Sequence, residues 1–244
     1  MNMKAYNFDP DALGKKYQEE RDKRIRADGN DQYQEVTGEF AYFVEDPYVE
    51  QKIDREPIEE EVEVVIVGGG FGGMLAAVRL HEAGIGDFKI IEKGGNFGGT
   101  WYWNRYPGAS CDIESYVYLP LLEITGFVPK QKYTNAPETL EYCNVIAEKY
   151  ELHERAILQT EVTSTDWDEE TKRWTVSTNR QDNIKARYVV HSNGPLNRPK
   201  LPAIKGINEY KGHTFHTRRW DYDYTGGDSH GGLTGLKDKR EAVN

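Results

Sequence analysis

Gly68, Gly70 and Gly73 stand in the order G-x-G-x-x-G, with Gly72 inside the same run, and Glu92 follows roughly twenty residues on. Residues of these types at this spacing can hold a dinucleotide. The glycines let the chain turn tightly, bring backbone N–H groups against a pyrophosphate and let a helix pack closely on a strand. A carboxylate at the position of Glu92 accepts hydrogen bonds from a ribose 2′-OH and 3′-OH, and it repels a 2′-phosphate. The pattern therefore predicts an adenosine diphosphate moiety without a 2′-phosphate, as in FAD or NAD and not NADP. Glycines at this spacing also occur in the turn of an ordinary βαβ unit, so the flanking elements decide between the two.

Those elements are in register. Val64-Val65-Ile66-Val67 is a short β-branched run, as expected of a buried parallel strand. A helix opening at Phe71 places Phe71, Met74, Leu75 and Val78 on one face, at i, i+3, i+4 and i+7. Its N-terminus directs N–H groups and a positive dipole end at the phosphates. Phe88–Ile91 forms the next strand, and Glu92 ends it. The predicted fold class is α/β: a Rossmann-like domain with a parallel sheet, flanking helices and a small β-hairpin layer.

Downstream, Gly98 to Asp112 combines two adjacent glycines with the aromatics Trp101, Tyr102 and Trp103. The glycines allow close backbone approach to a ligand. The rings offer flat surfaces to an isoalloxazine or a nicotinamide, or they pack as a cluster under a loop. Cys111 and Cys143 have no metal-ligand spacing, so no metal site is predicted.

The remaining chain reads as support. Asp9-Pro10 is an N-cap and first helical residue, predicting a charged surface helix to about Arg26, stopped by Asp28-Gly29. Residues 30–60 lack a period, and Tyr33, Phe40, Tyr42, Phe43 and Tyr48 are candidate anchors of a wrapping segment. Glu59-Glu60-Glu61 reads as solvated charge ahead of the strand. Pro137 begins a helix with Leu140, Cys143, Ala147 and Tyr150 on one face, which makes Cys143 a core residue. Ile157–Thr165 reads as a strand, Trp167 and Trp174 flank a hairpin turn, and Asn183–Val190 is a further strand.

The Gly98–Asp112 stretch resembles the flavin-dependent Baeyer–Villiger monooxygenases. It fits their motif [AG]-G-x-W-x-x-x-x-[FY]-P-[GM]-x-x-x-D at every fixed position. Their second signature, F-x-G-x-x-x-H-x-x-x-W-[PD], is met from Tyr210 to Asp221 with Gly212, His216 and Trp220 in place and Tyr for the leading Phe. The resemblance spans about residues 10–240, and the run from Tyr222 to Gly227 is most similar to the branch acting on large cyclic or polycyclic ketones.

Such enzymes use NADPH, FAD and O₂ to insert oxygen into a ketone. The resemblance implies that Gly68, Gly70, Gly72 and Gly73 hold the FAD pyrophosphate and that Glu92 holds its ribose. It implies that Thr100 and Trp101 line the flavin, that Tyr118 and Val162 add FAD contacts, and that Gly194 marks the strand end where the chain leaves the domain. Ser110, Cys111 and Asp112 match a segment that touches NADP. Asp112 is the implied catalytic acid, pairing with an active-site arginine. For His216 a structural part in domain movement is expected ahead of proton transfer.

The resemblance also implies a second G-x-G-x-x-G after the Trp signature, opening an NADPH domain, and the sequence carries none. The expected organisation is a wrapping extension over 1–60, the N-terminal part of an FAD-binding domain over 61–224, and a truncated linker over 225–244. An alternative is a flavin-binding or interaction module that keeps the fold without turnover. A net charge of −10 over 244 residues argues against nucleic acid and anionic membranes as partners. With two cysteines, no apolar leader and no run of transmembrane length, a soluble cytoplasmic protein is expected. The implied substrates are a ketone and O₂.

Overall fold

The strands form where the β-branched runs lie. The computed structural model describes residues 8–34 and 36–240. Its strands are β1 (Tyr33–Gln34), β2 (Glu59–Val67), β3 (Phe88–Ile91), β4 (Ala156–Ile157), β5 (Val162–Asp168), β6 (Arg173–Thr178), β7 (Asn183–His191) and β8 (Leu201–Pro202). The helices are α1 (Pro10–Asp22), α2 (Phe71–Glu82), α3 (Thr100–Trp103), α4 (Ser115–Tyr118), α5 (Leu122–Thr125), α6 (Ala136–Lys149) and α7 (Tyr222–Thr225). The described residues divide into two compact units, one of 8–34 with 200–212 and the other of 36–199 with 213–240.

In the first unit, the Asp9 side chain accepts the N–H groups of Asp11 at 3.0 Å and Ala12 at 3.2 Å, and α1 runs with no buried residue to Asp22. It ends four residues short of the Arg26 expected from the sequence. β1 pairs antiparallel with β8 through Tyr33↔Pro202 and Gln34↔Leu201.

The second unit is built on a six-stranded sheet in the order β4-β3-β2-β7-β6-β5. β4, β3, β2 and β7 run parallel, β6 is antiparallel to β7, and β5 is antiparallel to β6. β2 lies inside the sheet between β3 and β7, with Val65 and Ile66 at 0% exposure. The α2 face of Met74 and Val78 packs with Ile66, Ile90 and the α6 residues Cys143 and Ile146, which fills one side of the sheet. Cys143 is a core residue as expected, and burial pushes its thiol pKa well up. On the other side, Val65 and Ile91 meet Val176 of β6 and Ile184 of β7. The hairpin contributes to that cluster while its β6 edge hydrogen-bonds to Asn183–Ala186 of β7. Trp167 and Trp174 face each other across it.

Two further boundaries differ from the sequence reading. β2 begins at Glu59, so Glu59-Glu60-Glu61 lies within the strand, paired to Asn183-Ile184-Lys185 of β7. Two of those acids meet cations: Glu60 lies 3.8 Å from Lys89 of β3, and Glu61 accepts from Arg173 of β6 at 2.8 Å. The stretch Ile157–Thr165 is two strands. Between them Gln159 takes φ +51°, and the N–H groups of Gln159 and Thr160 bond the carbonyls of Gly94 and Glu92, each at 3.0 Å. That tether turns the chain off the parallel edge and into the hairpin.

A buried ion pair fixes the corner where the hairpin returns to the sheet. Asp182 accepts both arms of the Arg55 guanidinium at 2.6 and 2.7 Å, the Ile58 N–H at 2.8 Å and the Thr178 hydroxyl at 2.7 Å. Among the described residues no helix is long and apolar enough to cross a membrane.

Candidate functional site

The glycine loop lies where β2 hands over to α2. Gly68 takes φ +105°, a left-handed conformation that favours glycine, and its N–H bonds the Ile91 carbonyl at 2.8 Å. Gly73 sits one turn into α2 with its Cα against the loop. A Cβ there would overlap the Gly68 carbonyl oxygen, far inside contact distance. No side chain caps the start of α2 at Gly70, so its first N–H groups are left to an external acceptor.

Glu92 is 5% exposed. Its Oε2 accepts the Gly69 N–H at 2.5 Å and its Oε1 accepts the Gly94 N–H at 2.6 Å. Burial pushes its carboxyl pKa up, and the two backbone donors pull it back only in part. The carboxylate is thus aimed by the glycine loop on one side and by Gly94 on the other. Each oxygen keeps a second lone-pair direction for another donor.

The loop and Glu92 open on a cleft of about 690 Å³ outside the carboxyl ends of β2, β3 and β7. This is the position at which ligands bind open α/β sheets. Of the residues singled out from the sequence, Gly68, Gly70, Gly72, Glu92, Thr100, Trp101, Tyr118, Val162 and Gly194 line it. The Trp101 indole N–H donates to the Tyr118 hydroxyl at 2.9 Å, and the two rings meet edge to face at 5.8 Å. Burial raises the Tyr118 phenol pKa, which keeps it neutral.

The other singled-out residues stand elsewhere. Gly73 is set back in α2, as its packing task requires. Ser110, Cys111 and Asp112 are not on the cleft wall: Ser110 and Asp112 are exposed, and Cys111 is buried in the core beside α6. In the second signature, His216 Nδ1 accepts the Arg218 N–H at 3.1 Å and its ring meets Phe43 at 6.2 Å. The Trp220 indole donates to the Thr225 hydroxyl at 3.0 Å, and Asp221 caps α7 through the Tyr224 N–H at 2.9 Å.

Several cleft residues escape the sequence reading. Ser192 and Asn193 line the cleft because β7 is the parallel neighbour of β2. At one end Glu161 bridges Lys93 at 3.3 Å and Arg198 at 3.1 Å. The polar run after β7 is the available sequence signal for Ser192 and Asn193, and the strand order is what gives it meaning.

A family model for pyridine nucleotide-disulphide oxidoreductases matches residues 65–227. The chain is 50% identical over 236 residues to a neopentalenolactone D synthase of Streptomyces avermitilis, an alignment covering 96% of this chain and 40% of that protein. It is 49% identical over 242 residues to a Baeyer–Villiger monooxygenase of Streptomyces coelicolor, covering 98% and 40%. The solved structure of a polycyclic ketone monooxygenase from the fungus Thermothelomyces thermophila superposes with a TM-score of 0.84 at 39% identity, over 94% of this chain and 40% of that one. The chain therefore spans about 40% of the length of these relatives.

Proposed function

Because the chain belongs to the pyridine nucleotide-disulphide oxidoreductase family, we propose that its cleft holds FAD and that it serves an NADPH-using Baeyer–Villiger monooxygenase. The observation that carries the cofactor reading is Glu92, a buried carboxylate at the end of a parallel strand beside the uncapped start of α2. The residues fit the group. The free N–H groups of α2 suit a pyrophosphate, the spare lone pairs of Glu92 suit two ribose hydroxyls, and Trp101 and Tyr118 wall the cleft further along.

Bound FAD would supply the electron transfer and oxygen activation. The chain's own residues bind and orient. Gly68, Gly70, Gly72 and Gly73 admit the pyrophosphate, Glu92 holds the ribose, and Thr100, Trp101, Tyr118 and Val162 complete the cofactor contacts. Ser110, Cys111 and Asp112, away from the cleft, are assigned to NADPH. Asp112 holds an arginine in place at the reaction centre of the complete enzyme. The names of the relatives support a large cyclic ketone as substrate, with O₂ as the second. Two buried free thiols are in keeping with a reducing, cytoplasmic setting.

The test is a visible absorption spectrum after FAD loading and desalting, followed by separate assays of NADPH oxidation and lactone formation from a polycyclic ketone. Loss of all flavin together with tight NADPH binding overturns the cofactor assignment. Bound flavin supports the cofactor assignment, and lactone formation supports the monooxygenase reading. Glu92→Ala should weaken FAD binding by about 1–3 kcal/mol, the usual cost of losing a charged hydrogen-bond acceptor. A fluorescence titration giving the original Kd would remove Glu92 from the ribose site.

A further inference from the structure

One end of the Glu92 site is closed by a segment that no dinucleotide motif contains. The 3₁₀ turn Gly38–Val44 leads into Glu45-Asp46-Pro47-Tyr48-Val49. Asp46 Oδ2 accepts the Gly95 N–H at 2.9 Å and the Tyr102 hydroxyl at 2.6 Å. The Tyr102 oxygen also accepts the same Gly95 N–H at 3.0 Å, and Asp46 Oδ1 accepts the Tyr48 N–H at 2.9 Å. Both oxygens of Asp46 are therefore fixed.

The neighbouring residue, Gly94, is the one whose N–H aims Glu92. The pair Gly94-Gly95 is thus gripped between two carboxylates, Glu92 from the sheet and Asp46 from the outer segment. The fit is tight: a Cβ on Gly95 would lie 2.5 Å from a Val49 methyl and 2.9 Å from the Tyr102 hydroxyl. The segment is anchored on its far side too. The Arg105 guanidinium lies 3.7 Å over the Tyr48 ring, and Arg219 of the second signature donates to the Glu45 carbonyl at 2.9 Å.

We propose that Asp46 is a positioning residue for the ribose site: by holding Gly95 it holds Gly94, and through Gly94 it fixes the aim of the Glu92 carboxylate. The inference rests on the reading that the cleft takes a dinucleotide. A ligand-binding group works at full strength only when the residues behind it lock its geometry. Asp46 does this from outside the βαβ unit, so an Asp46 variant should lose ribose affinity with the pyrophosphate loop intact.

The experiment is a calorimetric titration of ADP into the purified protein carrying Asp46→Ala, Glu92→Ala or both. Asp46→Ala is expected to weaken ADP binding about tenfold in the original background and less than about twofold on top of Glu92→Ala, because the two act through one contact. A purely structural role would give equal losses in both backgrounds, and that result, or unchanged ADP affinity in Asp46→Ala, overturns the proposal. Gly95→Ala pushes on the same contact from the other side and should reproduce the loss. Retained ADP affinity in Gly95→Ala overturns the proposal even if Asp46→Ala fails to fold. If the unsubstituted protein binds neither ADP nor FAD, the dinucleotide reading falls and this inference with it. If it binds them and the variants bind equally well, this inference alone falls.

Discussion

Gly73→Ala is expected to abolish useful dinucleotide binding while Gly72→Ala leaves the fold intact. The two glycines are adjacent in one helix, and their surroundings differ. A Cβ at Gly73 runs into the Gly68 carbonyl oxygen, which is backbone and cannot rotate away. α2 must then move off the loop, taking its N–H groups with it. Overpacking of this kind costs about 1–3 kcal/mol in stability. A displacement of about 1 Å at a binding group can cost about a hundredfold in function. A Cβ at Gly72 meets the Ser192 side chain at 3.6 Å, an ordinary contact. Alanine is also the better helix former. Thermal unfolding and FAD titration of the two variants check the contrast, and a Gly73→Ala protein that binds FAD normally would contradict the packing at this loop.

Asp182→Ala should be the most destabilising single change outside the cleft. It leaves the Arg55 guanidinium half-buried without its carboxylate, and breaking such a pair costs about 3–5 kcal/mol. It also removes acceptors from the Ile58 N–H and the Thr178 hydroxyl. The same site predicts an acid transition. Burial alone would raise the Asp182 pKa, but the Arg55, Thr178 and Ile58 hydrogen bonds outweigh it and hold the carboxyl at about 2, against 3.8 ordinarily. A depressed carboxylate pKa stabilises the fold above the unfolded value. The contribution is therefore complete above about pH 4–5 and is lost as pH falls through 3.8 toward 2, an amount of about 2 kcal/mol. Unfolding in denaturant at a series of acidic pH values measures it. Asp182→Asn should flatten that part of the profile, and an unchanged slope would show that the pair does not titrate as described.

The parts of the site that were legible in the sequence are those built from local interactions. The turn at Gly68, the apolar face of α2 and the strand Phe88–Ile91 all lie within one βαβ unit, where glycine freedom, helical period and β-branched runs act over a few residues. Glu92 is readable for the same reason: its distance along the chain from the glycines is set by the length of one helix and one strand. The N-cap at Asp9 belongs to this class too, its side chain bonding the N–H groups two and three residues on.

The tertiary structure decided what depends on which strands become neighbours. Glu59-Glu60-Glu61 has the composition of a solvated run, yet it is strand because β7 supplies a pairing edge from Asn183 onward, with Lys89 of β3 and Arg173 of β6 meeting Glu60 and Glu61. The break at Gln159 comes from tethers to Gly94 and Glu92, not from any residue with turn chemistry. Ser192 and Asn193 reach the cleft only because β7 lies beside β2. Asp46 and Gly95 are 49 residues apart, and Arg55 and Asp182 are 127 apart. No periodicity or local propensity encodes such pairings. They arise when burial of the sheet faces fixes the strand order and brings distant polar groups to one place, where each must find a partner or bear the cost of desolvation.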